Sequence, residues 1–106
     1  AYTVRDIMSF VPSATPQDAP VVMATARAIA RVLGREATFI ASPGTYDQKH
    51  IQRTGQLRDC IAYGPGILDL AHQPDEYVGI DELVQSAQVM ALAVLDLQGV
   101  LPTLRP

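Results

Sequence analysis

The sequence has few of the residues that build disulfides, metal clusters or nucleic-acid interfaces. Its 106 residues include one cysteine, two histidines and no tryptophan, and eight basic against eleven acidic residues give a net charge of −3. A single cysteine cannot form an internal disulfide, and scattered basic residues do not make the positive patch that nucleic-acid binding requires. No apolar run is long enough to span a membrane. We therefore expect no nucleic-acid or membrane partner and a reducing, cytoplasmic setting.

The apolar content is sufficient for a folded core. Hydrophobic residues make up 48% of the chain, which is typical of one small globular domain rather than a disordered tail. The chain has no initiating methionine and opens directly on a possible strand at residues 2–8. This opening favours a segment cut from a longer protein.

Helical periodicity is clear in two places. Apolar residues recur at helical spacing from Val22 to Leu33, with Asp18 as the expected N-cap and Gly34 as the expected end. A longer helix is predicted after a cap at Asp81. Its expected core side is apolar throughout and consists of Leu83, Val84, Ala87, Met90, Ala91, Val94 and Leu95.

Between the helices, two apolar runs favour strands. Residues 37–41 and 60–63 are apolar on both alternations, as in strands covered on both faces, and residues 47–53 favour a short helix. The order of helix, strand, short helix, strand and helix predicts an α/β fold, with functional loops at the strand ends.

His72 is the first candidate for chemistry. It lies in a loop after the second predicted strand, close to Glu76, and a neutral imidazole binds zinc well. From spacing alone, an ordinary loop histidine is favoured over a ligand, because a lone histidine is no metal signature.

The surrounding residues carry a resemblance that reverses this preference. Tyr-Gly-Pro-Gly at 63–66, Ala-His-Gln-Pro-Asp-Glu-Tyr-Val at 71–78 and Ile-Asp-Glu-Leu at 80–83 together resemble the C-terminal signature of the acetylornithine deacetylase and succinyl-diaminopimelate desuccinylase family. The resemblance implies a hydrolase with two zinc (or cobalt) ions that cleaves the N-acyl amide of an amino acid. It also implies that His72 is a metal ligand. Glu76 is better interpreted as a supporting or structural carboxylate than as a ligand.

A second stretch, Gly-Thr-Tyr-Asp at 44–47, resembles the family's Gly-Thr-Ser-Asp loop near the substrate carboxylate. The resemblance implies that Gly44 and Thr45 bind substrate. A plain turn followed by an Asp47 cap fits the same residues equally well. The sequence departs from the family pattern at Pro43 and Tyr46, so the substrate class stays open.

The resemblance extends from about Thr15 to Leu97 and implies a domain layout. Residues 1–14 would end a lid domain and its linker, 15–98 would form the C-terminal part of a catalytic domain with a central β-sheet flanked by helices, and 99–106 would be a tail. The family's other metal ligands and its catalytic base have no counterpart here. We therefore expect no catalytic residue in the chain and no tightly bound zinc. The parent enzyme is expected to act on a small N-acyl amino acid and to be a homodimer.

Three alternatives remain open at this point. One is a carboxypeptidase or dipeptidase of the same family. Another is a binding or regulatory module that keeps the fold without metals, and the last is a structural piece that completes a sheet.

Overall fold

The computed structural model describes residues 1–9 and 12–101, and within them the regular structure is helical. Helix α1 spans Pro20–Leu33, α2 spans Gln48–Thr54, and α3 spans Ile80–Leu97, with one turn of 3-10 helix at Leu68–Leu70. None of these helices is long and apolar enough to cross a membrane.

Each helix boundary has a local cause. Proline at the first position of α1 carries no N–H, so it leaves no donor unpaired, and the N-cap is Ala19 rather than the predicted Asp18. Gly34 ends α1 as predicted, in the left-handed conformation (φ 65°) that glycine adopts without a Cβ clash. The predicted cap of α3 at Asp81 is wrong, because Gly79 is the N-cap and Asp81 lies in the first turn. The Glu82 carboxylate accepts the Gly79 N–H at 3.4 Å.

The core is the contact between α1 and α3. Its fully or almost fully buried residues are mostly small, since Ala24 and Ala28 from α1 meet Val89 and Ala93 from α3. Short side chains let two helix backbones approach closely. Ile29, Val32, Tyr63 and Leu92 pack around this centre.

The expected core side of α3 is wrong. The residues buried on α3 are Ser86, Val89, Ala93 and Asp96, on the opposite side from the predicted face. Large side chains of the predicted face are exposed, Val94 by 56% and Val84 by 53%. Hydrophobic periodicity selects the side of a helix with the most apolar side chains. The α1–α3 contact is instead made by the side of α3 that carries small residues and the Asp96 carboxylate.

That ion pair joins Arg27 and Asp96. Arg27 Nε donates to Asp96 Oδ2 at 2.8 Å, and Nη2 lies 2.7 Å from the same oxygen. The Asp96 side chain is 1% exposed and the Arg27 side chain 28%, so the carboxylate is the desolvated partner. A carboxylate this deeply buried requires a paired cation.

The predicted α/β architecture with a central sheet is wrong for this structure. Across residues 1–9 and 12–101 there is no strand, and the segments predicted as strands (2–8, 37–41 and 60–63) have irregular backbone. A strand requires backbone pairing with a neighbouring strand. The Cys60 backbone instead bonds locally and to side chains, with its N–H donating to Arg58 O and to Thr15 Oγ1. Phe39 and Ile40, expected to be covered on both faces, are 49% and 77% exposed.

Part of the predicted domain layout falls outside the described residues. Residues 10 and 11, in the predicted lid-end segment, and residues 102–106, in the predicted tail, belong to this group. The boundaries at 14 and 98 stay predictions.

Candidate functional site

His72 lies in a loop built from consecutive tight turns. The 3-10 turn before it is closed by Leu70 N–H to Ile67 O at 3.0 Å, and Gln73 N–H then bonds to Leu70 O at 3.1 Å. Glu76 N–H donates to Gln73 O at 3.2 Å. These bonds fix the path of the backbone on both sides of the histidine.

The backbone of His72 adopts a left-handed conformation, with φ at 63°. This conformation is uncommon outside glycine and needs support from neighbouring groups. The support comes from Glu76, whose Oε2 accepts the His72 backbone N–H at 3.0 Å. Glu76 is therefore a structural carboxylate that shapes the loop, in line with the supporting role expected of it. The His72 residue is exposed, so its ring is accessible from outside the chain.

The His72 loop does not make a complete metal site. In the part of the chain that the structure describes, no group of three or more His, Cys, Asp or Glu side chains could hold a metal ion. An exposed imidazole on a fixed backbone fits the part of one ligand, and catalytic zinc sites use about three protein ligands. Whether His72 binds metal stays a prediction.

The second candidate segment, residues 44–47, is held by hydrogen bonds to residues of the same loop. Gly44 N–H donates to Ser42 Oγ at 3.2 Å, and the Ser42 hydroxyl lies 2.8 Å from the Tyr46 hydroxyl. The Gly44 amide therefore already has an acceptor within the loop. A Cβ at Gly44 would meet Ser42 Oγ and the Tyr46 hydroxyl at 3.5 Å, an ordinary contact, so the local packing alone does not require glycine. Thr45 is exposed.

Tyr46 and Asp47 also behave differently from the sequence expectation. Tyr46, which replaces the family's serine, uses its hydroxyl to close the loop against Ser42. Asp47 is the N-cap of α2 by position, but its side chain makes no capping hydrogen bond. The Asp47 backbone carbonyl instead accepts the His50 N–H at 2.8 Å. The capping half of the plain-turn alternative is therefore not supported.

Two polar residues that the sequence analysis did not single out tie this region together. The Thr15 hydroxyl donates to the Cys60 carbonyl at 2.6 Å, and the Gln48 side-chain amide donates to the same carbonyl. Thr15 and Cys60 are 45 positions apart. No local pattern identifies a side chain that bonds to backbone so far along the chain.

The family model for peptidases M20/M25/M40 matches residues 1–96. The chain belongs to this peptidase family. The family-level resemblance is thus confirmed, and the chain derives from a family of hydrolases that generally bind zinc. The narrower deacetylase and desuccinylase assignment is not established by this match.

Individual members of the M20/M25/M40 family show the same relationship. The chain is 33% identical over 95 residues to a protein of Pyrococcus furiosus named as a candidate LysW-lysine/LysW-ornithine hydrolase, covering 89% of this chain and 28% of that protein. A protein of the same name from Pyrococcus abyssi is 34% identical over 95 residues, with the same coverage.

A Bacillus subtilis protein named as the candidate dipeptidase YtjP is 34% identical over 84 residues, which cover 76% of this chain and 17% of that protein. The chain thus spans between a sixth and a little over a quarter of the curated relatives it matches. No solved structure matches it.

Proposed function

We propose that this chain is the C-terminal part of a metal-dependent hydrolase that cleaves the N-acyl amide bond of an amino acid, of the acetylornithine deacetylase or succinyl-diaminopimelate desuccinylase type. Membership of the M20/M25/M40 family supports amide hydrolysis, and the family motif around His72 supports the deacylase type. The observation that carries the proposal is the exposed His72, held in a left-handed conformation by Glu76.

In this proposal, His72 supplies one imidazole to a site completed by ligands outside these residues. Two bound zinc or cobalt ions would supply Lewis acidity toward the amide carbonyl. The left-handed backbone and its bond to Glu76 fix the backbone position from which the imidazole extends. This lowers the conformational entropy that would be lost when the ring binds a metal ion. Gly44 and Thr45 bind the substrate, with the Thr45 hydroxyl as a hydrogen-bond donor to its carboxylate.

The remaining parts of the proposal concern the chain and its parent. One ligand gives little affinity, because tight zinc sites use several ligands fixed by a fold. The 106-residue chain by itself should therefore hold no stoichiometric zinc and hydrolyse no amide. The parent is proposed to be a cytoplasmic homodimer that acts on a small N-acyl amino acid.

A dipeptidase is the second candidate, and one observation favours it. The Bacillus subtilis relative named as a candidate dipeptidase is as similar in identity as the relatives named as hydrolases of LysW conjugates. Tyr46 in place of the family's serine also alters the loop proposed to meet the substrate.

The deciding experiment uses the full-length protein loaded with zinc. Hydrolysis of N-acetylornithine and N-succinyl-diaminopimelate is compared with that of a panel of dipeptides. The deacylase proposal expects turnover of an N-acyl amino acid, whereas turnover of dipeptides alone would select the second candidate.

A substitution at His72 tests the ligand assignment in the same protein. His72→Ala should lower metal content and reduce turnover by orders of magnitude, since a lost ligand weakens the Lewis acid. The matched control is His50→Ala, which removes the other histidine, exposed on α2. Full metal content and near-normal turnover in the His72 variant would refute the assignment.

A further inference from the structure

The backbone carbonyl of Cys60 is a shared acceptor for two parts of the chain. The Thr15 hydroxyl donates to it from the segment before α1, and the Gln48 side-chain amide donates to it from the first turn of α2. One turn further along α2, Gln52 Nε2 donates to the Arg58 carbonyl at 3.0 Å. One face of α2 is therefore fastened to residues 58–60 through two glutamine side chains.

These polar contacts attach α2 to the segment that follows it. None of the helix's own residues is buried, and its one apolar side chain, Ile51, is 41% exposed. A seven-residue helix is also too short to be stable by itself in water. Hydrogen bonds from its side chains to the backbone of residues 58–60 therefore help to hold it in position.

The candidate substrate loop is continuous with α2. Tyr46 O accepts the Lys49 N–H at 3.3 Å, and Asp47 O accepts the N–H groups of His50 and Ile51 at 2.8 and 3.2 Å. The loop carbonyls are thus part of the first turn of the helix. Thr45 directly precedes these residues, so a displacement of α2 would reach it through the backbone of residues 46 and 47.

We infer that Gln48 is a positioning residue for substrate binding, which holds the loop of Gly44 and Thr45 in place through the Cys60 carbonyl. The Thr15 hydroxyl, from the segment before α1, donates to the same carbonyl. This inference rests on the proposed function, because it assigns the substrate affinity of that loop to an anchor outside it. Gln48 acts through Thr45 and does not touch the substrate.

Gln48→Glu tests the inference in the full-length, zinc-loaded protein. A glutamate has nearly the same shape, but its carboxylate cannot donate a hydrogen bond and repels the Cys60 carbonyl. We expect KM for the N-acyl amino acid to rise by about tenfold, with kcat changed by less than about twofold. The substitution weakens substrate binding but leaves the groups that act on the amide in place. Gln88→Glu, at an exposed glutamine of α3, makes the same charge change and should leave both constants unaltered.

A second pair of variants tests the other end of the anchor and guards against misfolding. Thr15→Val removes the hydroxyl with little change in shape and should raise KM in the same way. Thr15→Ser restores the hydroxyl and should restore KM. A KM that rises equally in both Thr15 variants would contradict the inference, because the hydroxyl would then be irrelevant.

Amide hydrogen exchange separates failure of the anchor from failure of the proposed function. In Gln48→Glu, exchange should accelerate at residues 44–51 and stay unchanged in α3. Unchanged exchange at residues 44–51 would overturn the inference, and so would faster exchange with an unchanged KM. If the wild-type protein hydrolyses none of the substrates, the proposed function fails, and the exchange data still decide whether Gln48 holds the loop.

Discussion

Arg27 contacts the buried carboxylate of Asp96 through both Nε and Nη2, at 2.8 and 2.7 Å from one oxygen. Replacing Arg27 with Met should lower the free energy of unfolding by about 3 kcal/mol, because the substitution strands a buried charge. Urea unfolding of the purified protein measures the change. The matched double variant Arg27→Met/Asp96→Leu should recover most of the loss, and equal instability of single and double variants would contradict this account.

The small residues of the α1–α3 contact give a second prediction. Ala28 is fully buried, so Ala28→Leu should overpack the contact and lower the free energy of unfolding by about 1–3 kcal/mol. Ala30→Leu, on the exposed side of the same helix, is the control and should change stability by less than about 0.5 kcal/mol. Equal effects at the two positions would mean that α1 does not pack through Ala28. Urea unfolding compares the two variants.

Glu76 tests the shape of the His72 loop. In the full-length protein, Glu76→Ala removes the acceptor of the His72 backbone N–H. Metal binding should weaken about tenfold, because the backbone that carries the imidazole is no longer held in one conformation. Glu76→Gln keeps an acceptor oxygen and should retain most of the affinity. Zinc titration against a competing chelator measures both. Equal affinity in Glu76→Ala and the wild type would show that the Glu76 bond does not support a ligand.

A substitution at Thr45 tests the proposed substrate-binding role of the loop directly. Thr45→Val in the full-length protein removes one proposed hydrogen bond to the substrate. KM should rise by an amount equivalent to about 1 kcal/mol of binding free energy, with little change in kcat or stability. Thr45→Ser, which keeps the hydroxyl, serves as the control. Steady-state kinetics and a thermal melt distinguish the outcomes, and lost stability with an unchanged KM would favour a purely structural turn.

The exposed apolar side of α3 predicts self-association of the 106-residue chain. Four large apolar side chains on that side, Leu83, Val84, Met90 and Val94, are 47%, 53%, 47% and 56% exposed. Apolar surface left in water favours contact with a second copy. Val84→Lys/Val94→Lys should shift sedimentation toward monomer, whereas Gln85→Lys/Gln88→Lys, on exposed polar positions of the same helix, should not. A wild-type chain that stays monomeric at high concentration would contradict the prediction.

The sequence predicts the presence of the helices well, but it misplaces the N-caps of α1 and α3 by one and two residues and predicts non-local contacts poorly. Gly34 ends α1 as expected, because a helix end of this kind depends on the residues beside it. The sheet and the contact side of α3 were wrong. Strand pairing and helix packing depend on partners far along the chain, and hydrophobicity alone does not reveal that the contact uses Ala28 and Asp96.

In the candidate site, too, the sequence indicated the local motif but not the long-range contacts. The motif around His72 identified a loop that the structure shows to be fixed by Glu76. The contribution of Thr15 and Gln48 left no signal in the sequence, because a side chain that bonds to a distant carbonyl needs no particular neighbours.

The Arg27–Asp96 contact joins residues 69 positions apart, and both candidate loops lie in the segment between them. Closing a loop of that length costs about 4 kcal/mol of chain entropy beyond a constant, but doubling its length adds only about 0.6 kcal/mol. Insertions between α1 and α3 should therefore cost the helical core little. The loops around Thr45 and His72 can therefore change length while α1 and α3 remain folded against each other.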